Sequence, residues 1–409
     1  MQCILHIGIE KTGTTTLQTW LYTNHDALRR QGIGLSRVLQ HPNNRDMVAY
    51  FRTSLDDFAK MARIADATQK AAYFKDFEAN LDAEIARLSA QGLTHMLFTS
   101  EHFHSRLLEP EDIASLHGYL VERFEAIQIV CYIREQSALR RSLYSTALKA
   151  EVTEGLEDFH TEIDEGHFYY DFNSVLSRWA NVFGSDALRV RIFDRNVMHK
   201  GDIRHDFLNV ALPFVAEQTL DFEIAYENKS LTHLESFVFR AINRWRPFFR
   251  TGGGIDPVNL SLKEAIRKVP QLRIGTLRSA LNTVIRSRFE ASNAIVSERY
   301  FDGKPLFRHT AQKEETNQQY SLEETGVLIE ATVDAVLRQV GRYILTEPEI
   351  DLLRDVAFTI ESDRDLSREQ AIQLLQIAQR ARPKGPLIAQ KLKDLTSNSA
   401  APATPGPER

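Results

Sequence analysis

Residues 8–15 read Gly8-Ile9-Glu10-Lys11-Thr12-Gly13-Thr14-Thr15, and their reading decides the fold. The residues before them, QCILHIG (2–8), form a short apolar run that predicts a buried strand. Beyond them, Leu17, Trp20, Leu21 and Leu28 recur at helical spacing, so a helix is expected from Thr14 to about Arg30. Strand, glycine loop and helix in this order make an anion cradle. Glycines let the backbone wrap close to the anion, the first free N–H groups of the helix point at it, and the helix dipole favours negative charge there. Lys11 adds a cation inside the loop.

Working outward, residues 55–91 carry helical spacing and stop at Gly92. THMLFTS (94–100) predicts a strand, Pro110 starts a helix to about Phe124, and AIQIVCYI (126–133) is continuous enough for a strand buried on both faces. A helix follows from about Ser137, another over 167–183, and LRVRIFD (188–194) reads as a fourth strand. Strands alternating with helices imply right-handed βαβ units. The expected fold class is α/β, a three-layer doubly wound parallel sheet over residues 1–230, with a mostly helical C-terminal region. Helical signals there cover 232–247, 261–267, 275–298 and 322–344, which sets a main domain of 1–345. Residues 346–395 read as a small helical extension, and 396–409 as a disordered tail by composition.

With 43% hydrophobic residues in 409, the chain can bury a sizeable core. A net charge of −5 argues against a general nucleic-acid binder, so any anion site is a local feature. Cys3 and Cys131 sit in strand-like apolar runs and read as small core hydrophobes of a reducing compartment. The N-terminus has no basic leader, and no run reaches the ~20 apolar residues of a membrane span. These features set the expectation of a soluble, cytoplasmic protein without a transmembrane segment.

The loop departs from the triphosphate pattern G-x-x-x-x-G-K-[ST]. Gly8 and Gly13 fit, but position 14 is Thr and the lysine stands three positions earlier. HIGIEKTGTTTLQTWL (6–21) resembles the 5′-phosphosulfate loop of sulfotransferases that use 3′-phosphoadenosine-5′-phosphosulfate (PAPS), bacterial and carbohydrate members in particular. IVCYIREQSALRRSLYS (129–145) resembles that family's second signature, a strand ending in Arg with a Ser eight positions later, here Arg134 and Ser142. The likeness implies a fold of P-loop NTPase type and sulfuryl transfer without a metal, PAPS as donor and 3′-phosphoadenosine-5′-phosphate (PAP) as product. It also implies an acceptor hydroxyl, with a carbohydrate or glycolipid preferred.

On that resemblance Lys11 serves the bridging and leaving oxygens, while Thr12, Gly13, Thr14 and Thr15 hold the 5′-phosphate. The 3′-phosphate falls to Arg134 and Ser142. Independently, an Arg at the C-terminal end of a buried strand lies in the ligand crevice of an open α/β sheet, and its planar fork suits a phosphate. Lys229, in ENKSL (227–231), sits where the family often closes a loop over the nucleotide; a polar loop before a helix explains it equally well. The second strand ends FTSEHFH (98–104), which offers Glu101 as first choice of general base and His102 as second. His41 is a further residue that would face the acceptor, and His6 reads as a satisfied core histidine. Arg140 and Arg141 read as solvated helix charges.

Two other classes compete. A P-loop kinase or nucleotide hydrolase is supported by the glycine loop and by Asp194 at a strand end, and opposed by the misplaced lysine and by Arg134. A non-catalytic scaffold that keeps the fold is opposed by the intact loop, Arg134 and Ser142.

Overall fold

The computed structural model describes residues 1–307 apart from 40–41, 165, 224–229, 251–253, 274, 276 and 278, together with 322–340, parts of 372–379, and 386–397. His41, Asn228, Lys229, most of the expected extension and nearly all of the expected tail lie outside the described residues.

Five strands form one sheet: β1 (Gln2–His6), β2 (Ile33–Leu35), β3 (His95–Thr99), β4 (Ile127–Ile133) and β5 (Leu188–Ile192). Their order is β2-β3-β1-β4-β5 and every pairing is parallel. The protein is thus an α/β protein with an all-parallel sheet, as the alternation of elements predicts. β1 lies at the centre, with His6 opposite Thr99 on one side and Val130 on the other. From Val130 to Ile133 all of β4 is buried, which accounts for its unbroken apolar run. Cys3 and Cys131 are buried free thiols, as read.

The helices used below are α1 (Thr14–Thr23), α2 (Arg45–Phe51), α3 (Phe77–Ala90), α4 (His102–Arg106), α5 (Pro110–Val121), α6 (Gln136–Lys149), α7 (Phe172–Phe183), α8 (Ile203–Ala211), α9 (His233–Trp245), α10 (Pro257–Ile266) and α11 (Glu290–Tyr300). α1 is shorter than the spacing predicts. Asn24 ends it, because its side-chain amide donates to the carbonyls of Trp20 and Asp221, both at 3.0 Å. The segment 55–91 is likewise several helices. Asp56 and Asp66 each accept a bond from the backbone N–H of a following residue and so start new helices. The edge strand β2 has only three residues, too few for periodicity to reveal.

The core around α1 and the sheet joins Leu17, Trp20 and Leu21 to Ile4, Leu97, Val130 and Phe207. Trp20 is almost wholly buried, and its indole N–H donates to the Asp221 carbonyl at 2.7 Å. α8 is fixed to the sheet by the fully buried Asp206, which accepts from Tyr132 and from the Arg191 guanidinium at 2.7–3.0 Å. The acid satisfies a buried hydroxyl and a cation together, the condition for tolerating it there.

Two compact units emerge. The first comprises 1–146, 154–230 and 278–316; the second comprises 147–153, 231–277 and 317–409. The expected helical part 231–345 is therefore divided: α11 returns to the first unit. Within that unit Asn293 and Gln136 exchange hydrogen bonds at 2.8 and 3.2 Å, and Arg286 pairs with Glu135 at 3.0 Å.

Candidate functional site

The site is built at the C-terminal ends of β1, β3 and β4. The chain leaves β1 toward the β2 edge and leaves β4 toward the β5 edge. Adjacent strands whose connections run to opposite sides open a crevice between them, where ligands of parallel sheets bind. Lys11 follows β1 and Arg134 follows β4, so topology brings both sequence signatures to one crevice.

The loop has the strain such a cradle needs. Lys11 adopts φ 69° and Gly13 φ 78°. Gly13 is the residue before α1, and a Cβ on it would stand 2.8 Å from the Phe193 ring; one on Gly8 would meet Thr14 and His6. Both glycines are thus required by close approach. Among the described residues the N–H groups of Thr14, Thr15 and Thr16 have no acceptor, as at the open end of any helix. Thr14 is buried and Thr15 exposed. Thr12 differs from the reading. Its N–H and its hydroxyl both donate to the Ile9 carbonyl, at 3.2 and 2.5 Å, and the residue has no exposed surface. Thr12 therefore closes the loop on itself.

Arg134 joins the two signatures. Its Nη1 donates to the Lys11 carbonyl at 2.9 Å, which holds the left-handed residue in place. Its guanidinium also lies 5.6 Å from the centre of the Phe193 ring. Burial lowers its pKa to about 10, and the neighbouring Arg141 charge pushes the same way. Burial lowers Lys11 as well, opposed by Glu10 and reinforced by Arg134. Among the described residues neither cation has a carboxylate within ion-pair reach. Glu10 and Glu101 act on Lys11, and Glu135 and Asp194 on Arg134, yet burial outweighs them, so an anion placed between the two cations recovers part of what their burial costs.

Ser142 lies on α6, almost entirely buried, and its hydroxyl makes no hydrogen bond among the described residues. Arg140 and Arg141 are not solvated charges. Arg140 is fully buried and donates to the carbonyls of Phe159 (2.8 Å) and Leu156, bracing the loop after α6. Arg141 is half-buried, bonds the Ser137 hydroxyl at 3.2 Å, and adds positive charge beside Arg134. The spacing of α6 alone does not separate these three inward positions from surface ones.

Beyond β3 the environment changes. Glu101 accepts from the Gln18 amide at 2.7 Å, and burial raises its pKa against that bond. Lys11 and Glu101 each feel the other's charge. His102 Nε2 is 3.8 Å from Glu101, and burial, with Arg45 and Arg106, lowers the imidazole to about 4. Both residues line a cavity of about 610 Å³ together with Thr15, Gln18, Arg45, Asp57 and Phe58. Arg45 pairs with Asp56 and with Asp57 (3.1 Å), and Arg106 with Asp57 (3.0 Å). Gln18 and Arg45 were not singled out in the sequence. Gln18 stands four and three residues after Thr14 and Thr15, on their face of α1, and that spacing is a usable signal. Arg45 carries none.

His6 is half satisfied. Its Nδ1 pairs with the Thr99 hydroxyl at 2.8 Å, its Nε2 has no partner, and burial lowers its pKa to about 3. Asp194 accepts from the backbone N–H and the side-chain amide of Asn196, so its carboxylate caps the turn after β5.

No family model matches the chain, and no solved structure matches it. A protein of Archaeoglobus fulgidus described as "Uncharacterized protein" is 30% identical over 193 residues, which cover 44% of this chain and 50% of that protein. The match thus spans about half of the curated relative's length.

Proposed function

We propose that the protein is a PAPS-dependent sulfotransferase acting on a hydroxyl of a neutral, polyhydroxylated acceptor, a carbohydrate or glycolipid headgroup. The observation that carries this reading is the pair Lys11 and Arg134: desolvated, without a carboxylate in ion-pair reach among the described residues, following adjacent strands into one crevice, with the partly buried Glu101 carboxylate acting on Lys11. The strand order with a glycine loop after the central strand supports a P-loop NTPase type of fold.

The chemistry distributes over these residues as follows. The acceptor enters from the cavity at the end of β3. Its oxygen attacks the sulfur of the donor, its proton passes to the Glu101 carboxylate, and the bond from sulfur to the phosphate oxygen breaks. The negative charge left on that oxygen is stabilised by the Lys11 ammonium. Gly13, Thr14 and Thr15 offer backbone N–H groups and hydroxyls to the 5′-phosphate. Arg134, with Arg141 behind it, supplies the charge for the second phosphate, and Ser142 a free hydroxyl. Positioning and charge stabilisation are the main demands, as in phosphoryl transfer. Glu101 suits the base better than His102, because burial makes its carboxylate a stronger proton acceptor than an ordinary one, whereas it lowers the imidazole to about 4 and makes it a weaker one. The acceptor cavity is lined by charges that already pair internally, which favours a ligand with hydroxyls over one with net charge.

A nucleotide hydrolase is disfavoured by Asp194, whose carboxylate is engaged in its own turn. The deciding measurement is calorimetric titration of PAP into the protein and into Arg134→Ala, with ATP and magnesium as competitor. Tight binding that ATP does not displace and that Arg134→Ala abolishes is expected. Binding of ATP–magnesium in place of the bisphosphate would overturn the proposal.

A further inference from the structure

The second unit carries a surface unlike the rest of the chain. Residues 231–277 hold eight Lys and Arg against three Asp and Glu, a surplus of five positive charges in a protein whose net charge is −5. α9 is strongly two-sided. Phe239 and Ile242 are buried, while Phe237, Arg240, Arg244 and Trp245 lie outward. Further exposed apolar groups follow α9 closely in the chain. Phe249 and Ile255 are antiparallel bridge partners, so their side chains stand side by side, and each is about half exposed. Trp245 is 60% exposed.

Cations are interleaved with these apolar groups. The Arg240 guanidinium lies 4.6 Å from the centre of the Phe237 ring, covering it with its stem. Arg244 reaches only a backbone carbonyl, that of Thr153, at 3.4 Å. Among the described residues neither has a carboxylate partner. Aromatic rings that sit at headgroup depth, ringed by arginines that reach for phosphates, are the composition of a membrane-interface anchor. No helix among the described residues is long and apolar enough to cross a membrane, so this surface lies on a bilayer and does not span it.

We propose that the outer face of α9 and the bridge pair Phe249 and Ile255 form a docking surface for anionic phospholipid bilayers. Arg240 and Arg244 select the headgroups, and Trp245, Phe249 and Ile255 enter the interface. The inference is independent of the reaction assigned to the first unit.

The protein carries its own reporter. Of its three tryptophans, Trp20 and Trp179 are each 1% exposed, so a change in emission on binding comes from Trp245. The full chain is mixed with vesicles of phosphatidylcholine alone, or with about a third phosphatidylglycerol. The expected result is a blue shift and co-sedimentation with the anionic vesicles, at least about tenfold stronger than with neutral ones and weakened by salt. Arg240→Gln with Arg244→Gln should remove the preference for anionic lipid, and Phe249→Ser should weaken binding to both. Circular dichroism of each variant establishes that it is folded. Sedimentation unchanged by these substitutions, no sedimentation at all, or a blue shift that follows protein concentration without vesicles would each overturn the proposal; the last would assign the face to a second copy of the chain.

Discussion

The ends of β4 and β3 belong to one sheet, yet they solve the problem of buried charge in opposite ways. At β4, Arg134 is desolvated and has no carboxylate within ion-pair reach among the described residues, and Lys11 is in the same state. At β3, Arg45 and Arg106 are each paired with aspartates, and the residue left uncompensated is an acid, Glu101, whose pKa rises. The proposed function gives the first of these arrangements an anion from outside as its ligand. It gives the second, where charges pair within the cavity beside a carboxylate raised by burial, a neutral donor of a proton. On the proposed reaction the two halves of the transfer fall to these two ends, and Lys11 and Glu101 are the groups that feel each other's charge across them.

The strongest way to break this contrast is to remove the cation. Lys11→Ala should lower the sulfuryl-transfer rate about 10²- to 10³-fold, the usual cost of losing one oxyanion-stabilising group. Lys11→Gly should be equally inactive yet no less stable, because glycine relieves the left-handed φ of 69°. A Gly variant with near-native turnover would show that the backbone of the loop, not the ammonium, does the work. Next in size, Glu101→Gln should cost about 10²-fold at neutral pH, within the range of general-base contributions. The wild-type rate should rise with pH through the raised pKa of Glu101, and the variant should lose that limb. Survival of the limb in Glu101→Gln would move the base to another group. Smaller again, Arg134→Lys keeps a charge but loses the planar fork, and should weaken the bisphosphate about tenfold. Equal affinity would mean that Arg134 acts through the Lys11 carbonyl and not on the ligand.

The frame of this site was legible because glycine, helix and strand signals are local. Gly8, Gly13 and Arg134 announce a loop and a strand end, and β4 declares itself by a run buried on both faces. What stayed hidden depends on how loops fold back onto these residues, which spacing does not record. Arg140 and Arg141 look like solvated charges because helical spacing does not reveal that the carbonyls of Leu156 and Phe159, beyond the end of α6, fold back onto one and that the Ser137 hydroxyl meets the other. Thr12 looks like a ligand because its spacing matches its neighbours, but a left-handed Lys11 turns it inward onto Ile9. Arg45 had no motif at all: it gains its place only when α2 packs near β3 and Asp56 and Asp57 arrive from the next segment.

His6 lies under the loop and touches both regions, since it sits on β1 and pairs with Thr99 of β3. Burial holds it near a pKa of about 3, whereas an unfolded histidine titrates at about 6.5. Between those values the unfolded chain binds a proton that the folded chain refuses, so stability falls as pH drops below about 6.5. Each histidine of this kind contributes a slope of about 1.4 kcal/mol per pH unit until its folded pKa is reached. His102, at about 4, and His104, at about 3, add to it. His6→Asn retains a partner for Thr99 and removes one titrating group. Denaturant unfolding at a series of pH values should therefore show the acid slope of the variant reduced by one proton, with the others intact. An unchanged slope would mean that His6 takes up its proton in the folded state, and the unpartnered Nε2 would then have found an acceptor beneath the loop.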